Sequence, residues 1–145
     1  NKGSTIVLQD DEITEVIAIP TGYDGLTIEG ASGKKVVWKA PNSPGSKPES
    51  ILAIGNSANL KIRNITFQIN GNAESAIRVG GNCPGMLLEN IEIIDPLQAG
   101  ISITNVLAER GTPMTVCNIR VIATKPSDKG KNLSGIQIKA DVPTK

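Results

Sequence analysis

Apolar residues recur at every second position in short runs, and the runs themselves repeat along the chain. Leu26-Thr-Ile-Glu-Gly30, Leu60-Lys-Ile-Arg-Asn64, Met86-Leu-Leu-Glu-Asn90 and Met114-Thr-Val-Cys-Asn118 align without gaps. A second series, Ile17-Ala-Ile19, Leu52-Ala-Ile54, Ile77-Arg-Val79, Ile101-Ser-Ile103 and Ile136-Gln-Ile138, advances in steps of 35, 25, 24 and 35 residues. A third follows each asparagine: Ile65-Thr-Phe67-Gln-Ile69, Ile91-Glu-Ile93 and Ile119-Arg-Val121. Alternation at period two predicts strands, the abundance of Ile and Val agrees with it, and helical spacing is sustained nowhere. Gly, Asn, Pro and Ser punctuate the runs, as in Gly55-Asn-Ser-Ala-Asn59 and Gly80-Gly-Asn-Cys-Pro-Gly85, so the strands are joined by tight turns.

Three strands and no helix in a period of about 25 residues predict an all-β solenoid, in which each coil stacks its strands in parallel on the last. Counting the second series gives about five coils in one domain spanning 1–145. Leucine-rich repeats have a similar period, but their several leucines at fixed offsets and their helical segment are missing. A β-sandwich also accommodates short strands, yet it does not explain apolar identities that stay in register over four repeats. Asn64, Asn90 and Asn118 share one position of the repeat, with Gly30 at the same site one period earlier. Both residue types tolerate a left-handed backbone, so the site is a bend between the second and third strands. Stacked coils would superpose the amides at about 4.8 Å, each donating to one neighbour and accepting from the other. The expectation is an internal, buried asparagine ladder.

With three strand rows and that asparagine column, residues 4–140 resemble the right-handed parallel β-helices of the pectin lyase-like superfamily. The resemblance implies a single-stranded, right-handed helix, and it leaves function open because the fold carries lyases, hydrolases, adhesins and binding domains. More narrowly, Gly25-Leu-Thr-Ile-Glu-Gly-Ala-Ser-Gly-Lys-Lys-Val-Val-Trp-Lys-Ala-Pro41 and Gly81-Asn-Cys-Pro-Gly-Met-Leu-Leu-Glu-Asn90 are similar to β-helix regions attached to membrane-anchored Ser/Thr protein kinases of planctomycete-type bacteria. That similarity implies an extracytoplasmic sensor or adhesion part of a larger protein. The start, Asn1-Lys2-Gly3-Ser4, accordingly reads as that of a domain cut from a longer chain, and no kinase motif lies within it.

Composition narrows the chemistry. There is no histidine, which removes imidazole bases, Ser/His/Asp triads and His-containing zinc sites. A formal charge of +1 argues against an obligatory nucleic-acid or anionic-membrane partner. Tyr23, Trp38 and Phe67 are the only aromatics, too few for a base-stacking platform. No apolar stretch approaches the ~20 residues that span a bilayer. Cys83 and Cys117 form no metal-ligand pattern and have no histidine to activate them; they read as packing and turn residues. No metal or cofactor is expected, and oligomeric state is not legible.

Enzymes of this fold that cleave uronic-acid polymers work along the outer face of the first strand row, where hydrolases need paired carboxylates. Here that row reads Ala18, Ala53, Arg78, Ser102, Gln137 and contains none. Arg78 suits a carboxylate or phosphate anchor, with Ser102 and Gln137 as hydrogen-bonding neighbours one and two coils away. Two longer loops, 41–49 and 125–132, project beside the same row, and the second brings Lys129 and Lys131. The expected function is therefore noncatalytic binding of an anionic glycan or an acidic protein segment. The alternatives are a polysaccharide lyase or glycoside hydrolase reduced to a short solenoid, and a structural spacer. The columns Glu29, Arg63, Glu89 and Thr66, Glu92, Arg120 read as structural charge ladders on other faces.

Overall fold

In a computed structural model, which describes residues 3–42, 45–107, 111–124 and 133–139, the alternating runs become strands and no helix occurs among the described residues. In chain order the strands are β1 Thr5–Leu8, β2 Glu12–Thr14, β3 Ile17–Ile19, β4 Thr27–Gly30, β5 Val37–Lys39, β6 Ser50–Gly55, β7 Lys61–Gln68, β8 Ser75–Asn82, β9 Leu87–Ile94, β10 Ala99–Leu107, β11 Thr115–Ile122 and β12 Ser134–Lys139. All pairings are parallel, and each joins one coil to the next. The product is a parallel β-solenoid of about four turns.

The first row is a five-stranded sheet in the order β12-β10-β8-β6-β3. Its register stacks Ala18 on Ala53, Ala53 on Arg78, Arg78 on Ser102 and Ser102 on Gln137, as the alternation predicts. The second and third rows share one sheet, because β7, β9 and β11 each run through both rows with a bend at Asn64, Asn90 or Asn118. β4 and β5 occupy the same two rows but are separated by 31–36. The count of about five coils is thus corrected to about four. β12 is a first-row strand with no described successor, while β1 and β2 form a partial turn below β4 and β5, which the sequence reading did not pick out.

Inward side chains make the core. Leu52, Ile77 and Ile101 in the first row, Ile62 and Leu88 in the second, and Phe67 and Ile93 in the third are fully buried. Each fully buried aliphatic side chain contributes roughly 1.5–3 kcal/mol, so the central coils hold the apolar stabilisation. Trp38 stacks on Phe67 with ring centroids 5.6 Å apart and donates its indole N–H to the Glu15 carbonyl at 3.0 Å. Among the described residues no buried side-chain nitrogen or oxygen lacks a hydrogen-bond partner.

The corners explain the asparagines. Every described non-glycine residue with a left-handed backbone is Asn or Asp: Asn56, Asn59, Asn64, Asn70, Asn90, Asp95, Asn105 and Asn118, with φ between 46° and 59°. These two residues adopt that conformation at least cost after glycine. Asn56, Gly81 and Asn105 thus turn the first row toward the second in successive coils, as Asn64, Asn90 and Asn118 turn the second into the third.

Candidate functional site

Asn90 donates its amide Nδ2 to Asn64 Oδ1 at 3.1 Å, and Asn118 donates likewise to Asn90 Oδ1. The three residues therefore pair along the stack, but they are exposed, which corrects the expectation of a buried column. The reason is local: a left-handed residue at the corner sends the preceding Ile62, Leu88 or Val116 and the following Ile65, Ile91 or Ile119 into the core, leaving the corner side chain outside. Asn90→Leu should consequently cost about 1–2 kcal/mol, from a left-handed β-carbon and two lost amide contacts. Asn90→Gly, which keeps the backbone at ease, should cost less; equal losses in urea unfolding would assign the effect to the amides alone.

The polar row takes shape on the first sheet. Arg78, Ser102 and Gln137 are brought side by side by β8, β10 and β12, and they line a shallow groove of about 230 Å³. Glu49, Glu74 and Lys139 also border it. Glu49 comes from the 41–49 loop, whose end is tied down where Glu74 and Ser75 donate backbone N–H groups to the carbonyls of Pro48 and Glu49 at 3.1 and 3.0 Å. Its carboxylate pairs with Arg78 Nη1. The pair is largely solvated, so it orients the guanidinium more than it stabilises the fold. Four of the five guanidinium N–H donors remain for other acceptors.

Two of these features escaped the sequence reading. The row itself contains no carboxylate, yet Glu49 and Glu74 reach the groove from the turns before β6 and β8, so its described lining is balanced in charge instead of basic. The signal was present in Glu49-Ser50 and Glu74-Ser75, which occupy equivalent positions in successive coils. Lys129 and Lys131 lie outside the described residues, as does the whole of the second loop.

A larger groove of about 400 Å³ runs over the asparagine corner, overhung by Lys34, Lys35 and Val36 and floored by Asn64, Asn90 and Asn118. It exists because 31–36 replaces a bend that the later coils make with one asparagine, a difference readable from the spacing of Gly30 and Val37. Its charges are mutually engaged: Glu92 is met by Lys35 at 3.4 Å and by Arg120 at 3.2 Å. The second-row ladder has the same character, with Arg63 Nε donating to Glu29 at 2.5 Å. Both cysteines are free thiols. Cys83 is buried against the Gly80 carbonyl, while Cys117 sits on the outer side of β11 near Glu89.

Comparison of the chain with protein-family models, with curated proteins and with solved structures finds no match in any of the three.

Proposed function

We propose that the chain is a noncatalytic binding domain whose recognition face is the first-sheet groove, and that it serves as the sensor or adhesion part of a larger protein of the pectin lyase-like, kinase-attached kind. The observation carrying this reading is Arg78, held by Glu49 with most of its donors outward and flanked in register by Ser102 and Gln137. A planar donor fork beside two hydrogen-bonding side chains suits a carboxylate or sulfate of an anionic glycan, or an acidic protein segment. A rigid stack of parallel strands holds these groups at fixed spacing, which lowers the ordering cost of binding.

An array of uronate- and sulfate-bearing glycans and acidic peptides, probed with wild type and variants, tests it. Arg78→Ala should weaken binding about tenfold or more, the loss of roughly 1.4 kcal/mol expected for an anchoring arginine. Arg63→Ala and Arg120→Ala, whose side chains belong to other faces, should change it little. Lys129→Ala and Lys131→Ala should have intermediate effects, because flexible lysines steer more than they anchor. Affinity should fall as salt rises, since exposed charges are screened over ~10 Å at 0.1 M. Equal losses at Arg63 and Arg78, or indifference to salt, would move binding to another face.

The presence of Glu49 and Glu74 beside the groove favours one second reading, a reduced polysaccharide lyase or hydrolase. Against it stands the pairing of Glu49 with Arg78, which leaves that carboxylate on a guanidinium instead of facing a second carboxylate across a cleavage site. The same preparations should release neither reducing ends nor unsaturated products from polygalacturonate or alginate. Clean activity abolished by Glu74→Gln would establish the enzyme instead.

A further inference from the structure

The acids of the first-sheet groove are not both balanced by its bases. Glu49 and Glu74 occupy equivalent turns one coil apart, about 4.8 Å in a parallel stack, because Ser50 pairs with Ser75 and Ser75 donates its N–H to the Glu49 carbonyl at 3.0 Å. Glu49 pairs with Arg78, which stands one coil further along. The same step from Glu74 leads to Ser102, since Ala53, Arg78 and Ser102 stack in one column, and a neutral hydroxyl does not balance a carboxylate. Glu74 is exposed, and among the described residues it has no ion pair. One coil later its equivalent is Gln98, whose N–H donates to the Glu74 carbonyl at 2.9 Å, so the unbalanced acid in this column is a single one.

The groove therefore presents two opposite charges on neighbouring coils: a guanidinium with donors to spare at Arg78 and an uncompensated carboxylate at Glu74. A ligand bearing anions alone gains at the first and is repelled at the second. A ligand bearing an ammonium group beside its carboxylate gains at both.

The rest of the lining favours a sugar chain over a peptide. The described residues that line the groove are all polar or charged, so there is no apolar pocket for a side chain. Arg78 and Ser102 lie on β8 and β10, each paired on both sides, which removes addition of a peptide strand at an edge. Gln98, Ser102 and Thr104 instead offer amides and hydroxyls that donate to and accept from sugar hydroxyls. Tyr23, Trp38 and Phe67 are not in the lining, so affinity has to come from charge.

We propose that the groove selects an amphoteric glycan, in which a uronate adjoins a sugar with a free amino group, the carboxylate resting on Arg78 and the ammonium on Glu74. The proposal rests on the reading of Arg78 as an anion anchor and narrows it to one class of chain.

Two forms of one polymer test it: heparosan, which alternates glucuronate with N-acetylglucosamine, and the same preparation after removal of its acetyl groups. Both carry identical carboxylates, and only the second carries ammonium groups at about pH 6, below the titration of an amine. Wild type should bind the deacetylated form about three- to fivefold more tightly, the gain of one exposed ion pair. Glu74→Gln should abolish that preference, whereas Arg78→Ala should weaken binding of both forms. The Glu74 side chain holds no structural contact, so far-ultraviolet dichroism of the variant should match wild type. Equal, Arg78-dependent affinity of wild type for both forms would overturn the amphoteric ligand while leaving Arg78 as an anion anchor. Binding of both forms that is indifferent to Arg78→Ala would overturn the two readings together. A preference that survives Glu74→Gln would place the ammonium elsewhere and overturn the proposal, and so would failure to bind either form. An alternating Lys-Glu peptide bound as tightly as the deacetylated polymer would overturn the assignment to a glycan.

Discussion

Phe67→Ala is expected to lower unfolding free energy by about 3–5 kcal/mol, the range for removing a large buried aromatic side chain. The ring is fully buried between Trp38 of the preceding coil and Ile93 of the following one. It stacks on the indole with planes at 23°, a contact that adds roughly 0.5–1.5 kcal/mol beyond area burial. Removing it opens a cavity at the level where two coils share their core, and parallel strands fixed on both sides cannot collapse into it. Phe67→Leu, which retains most of the volume, should cost less than about half as much. The test is urea unfolding: the midpoint should fall sharply for alanine and modestly for leucine at an unchanged slope. A loss below about 1 kcal/mol for alanine would mean that the coils adjust independently, against the packing described.

Gly30→Ala should be the most damaging replacement of a single hydrogen by a methyl group. A β-carbon at this site would stand 2.1 Å from the Asn64 carbonyl oxygen and 3.3 Å from Val36. The first of these is backbone at the corner of the next coil, which a rotamer change cannot relieve. We expect a cost of about 3 kcal/mol, toward the upper part of the range for overpacking, and a thermal midpoint lower by about 10 °C for a domain of this size. Gly45→Ala supplies the control, because its β-carbon would meet nothing within 4 Å, and it should move the midpoint by no more than a degree or two. Calorimetry that ranks the two equally would show that 31–36 swings away from the Asn64 corner.

Register was the most legible property of this chain. The pairings Leu52 with Ile77, Ile62 with Leu88 and Ile65 with Ile91 follow from period-two alternation, since a slip by one residue would turn isoleucines outward. The asparagine corners were legible for a similar reason: few side chains accept a left-handed backbone. Burial of those corners was not legible, because an amide column can bond along the stack on either side of the wall. β1 was missed because Thr5-Ile-Val-Leu8 carries three consecutive apolar residues and ends on Leu8 where later coils carry Gly or Asn. Glu49 and Glu74 were missed because contacts from a turn onto the next coil follow loop paths, which have no period. What the groove binds is written in none of these patterns and rests on the chemistry of Arg78 and its neighbours.

The sole tryptophan sits at one seam of the stack, 1% exposed and held by both Phe67 and the Glu15 carbonyl. Its emission therefore reports on the junction of the first two full coils and is nearly blind to β10, β11 and β12. Because each coil touches only its neighbours, unfolding need not be concerted across the stack. Fluorescence and backbone dichroism then become separate clocks: coincident curves would mark one cooperative unit, whereas a dichroism change that precedes the fluorescence change would mark fraying from the far end. The protein carries its own positional label.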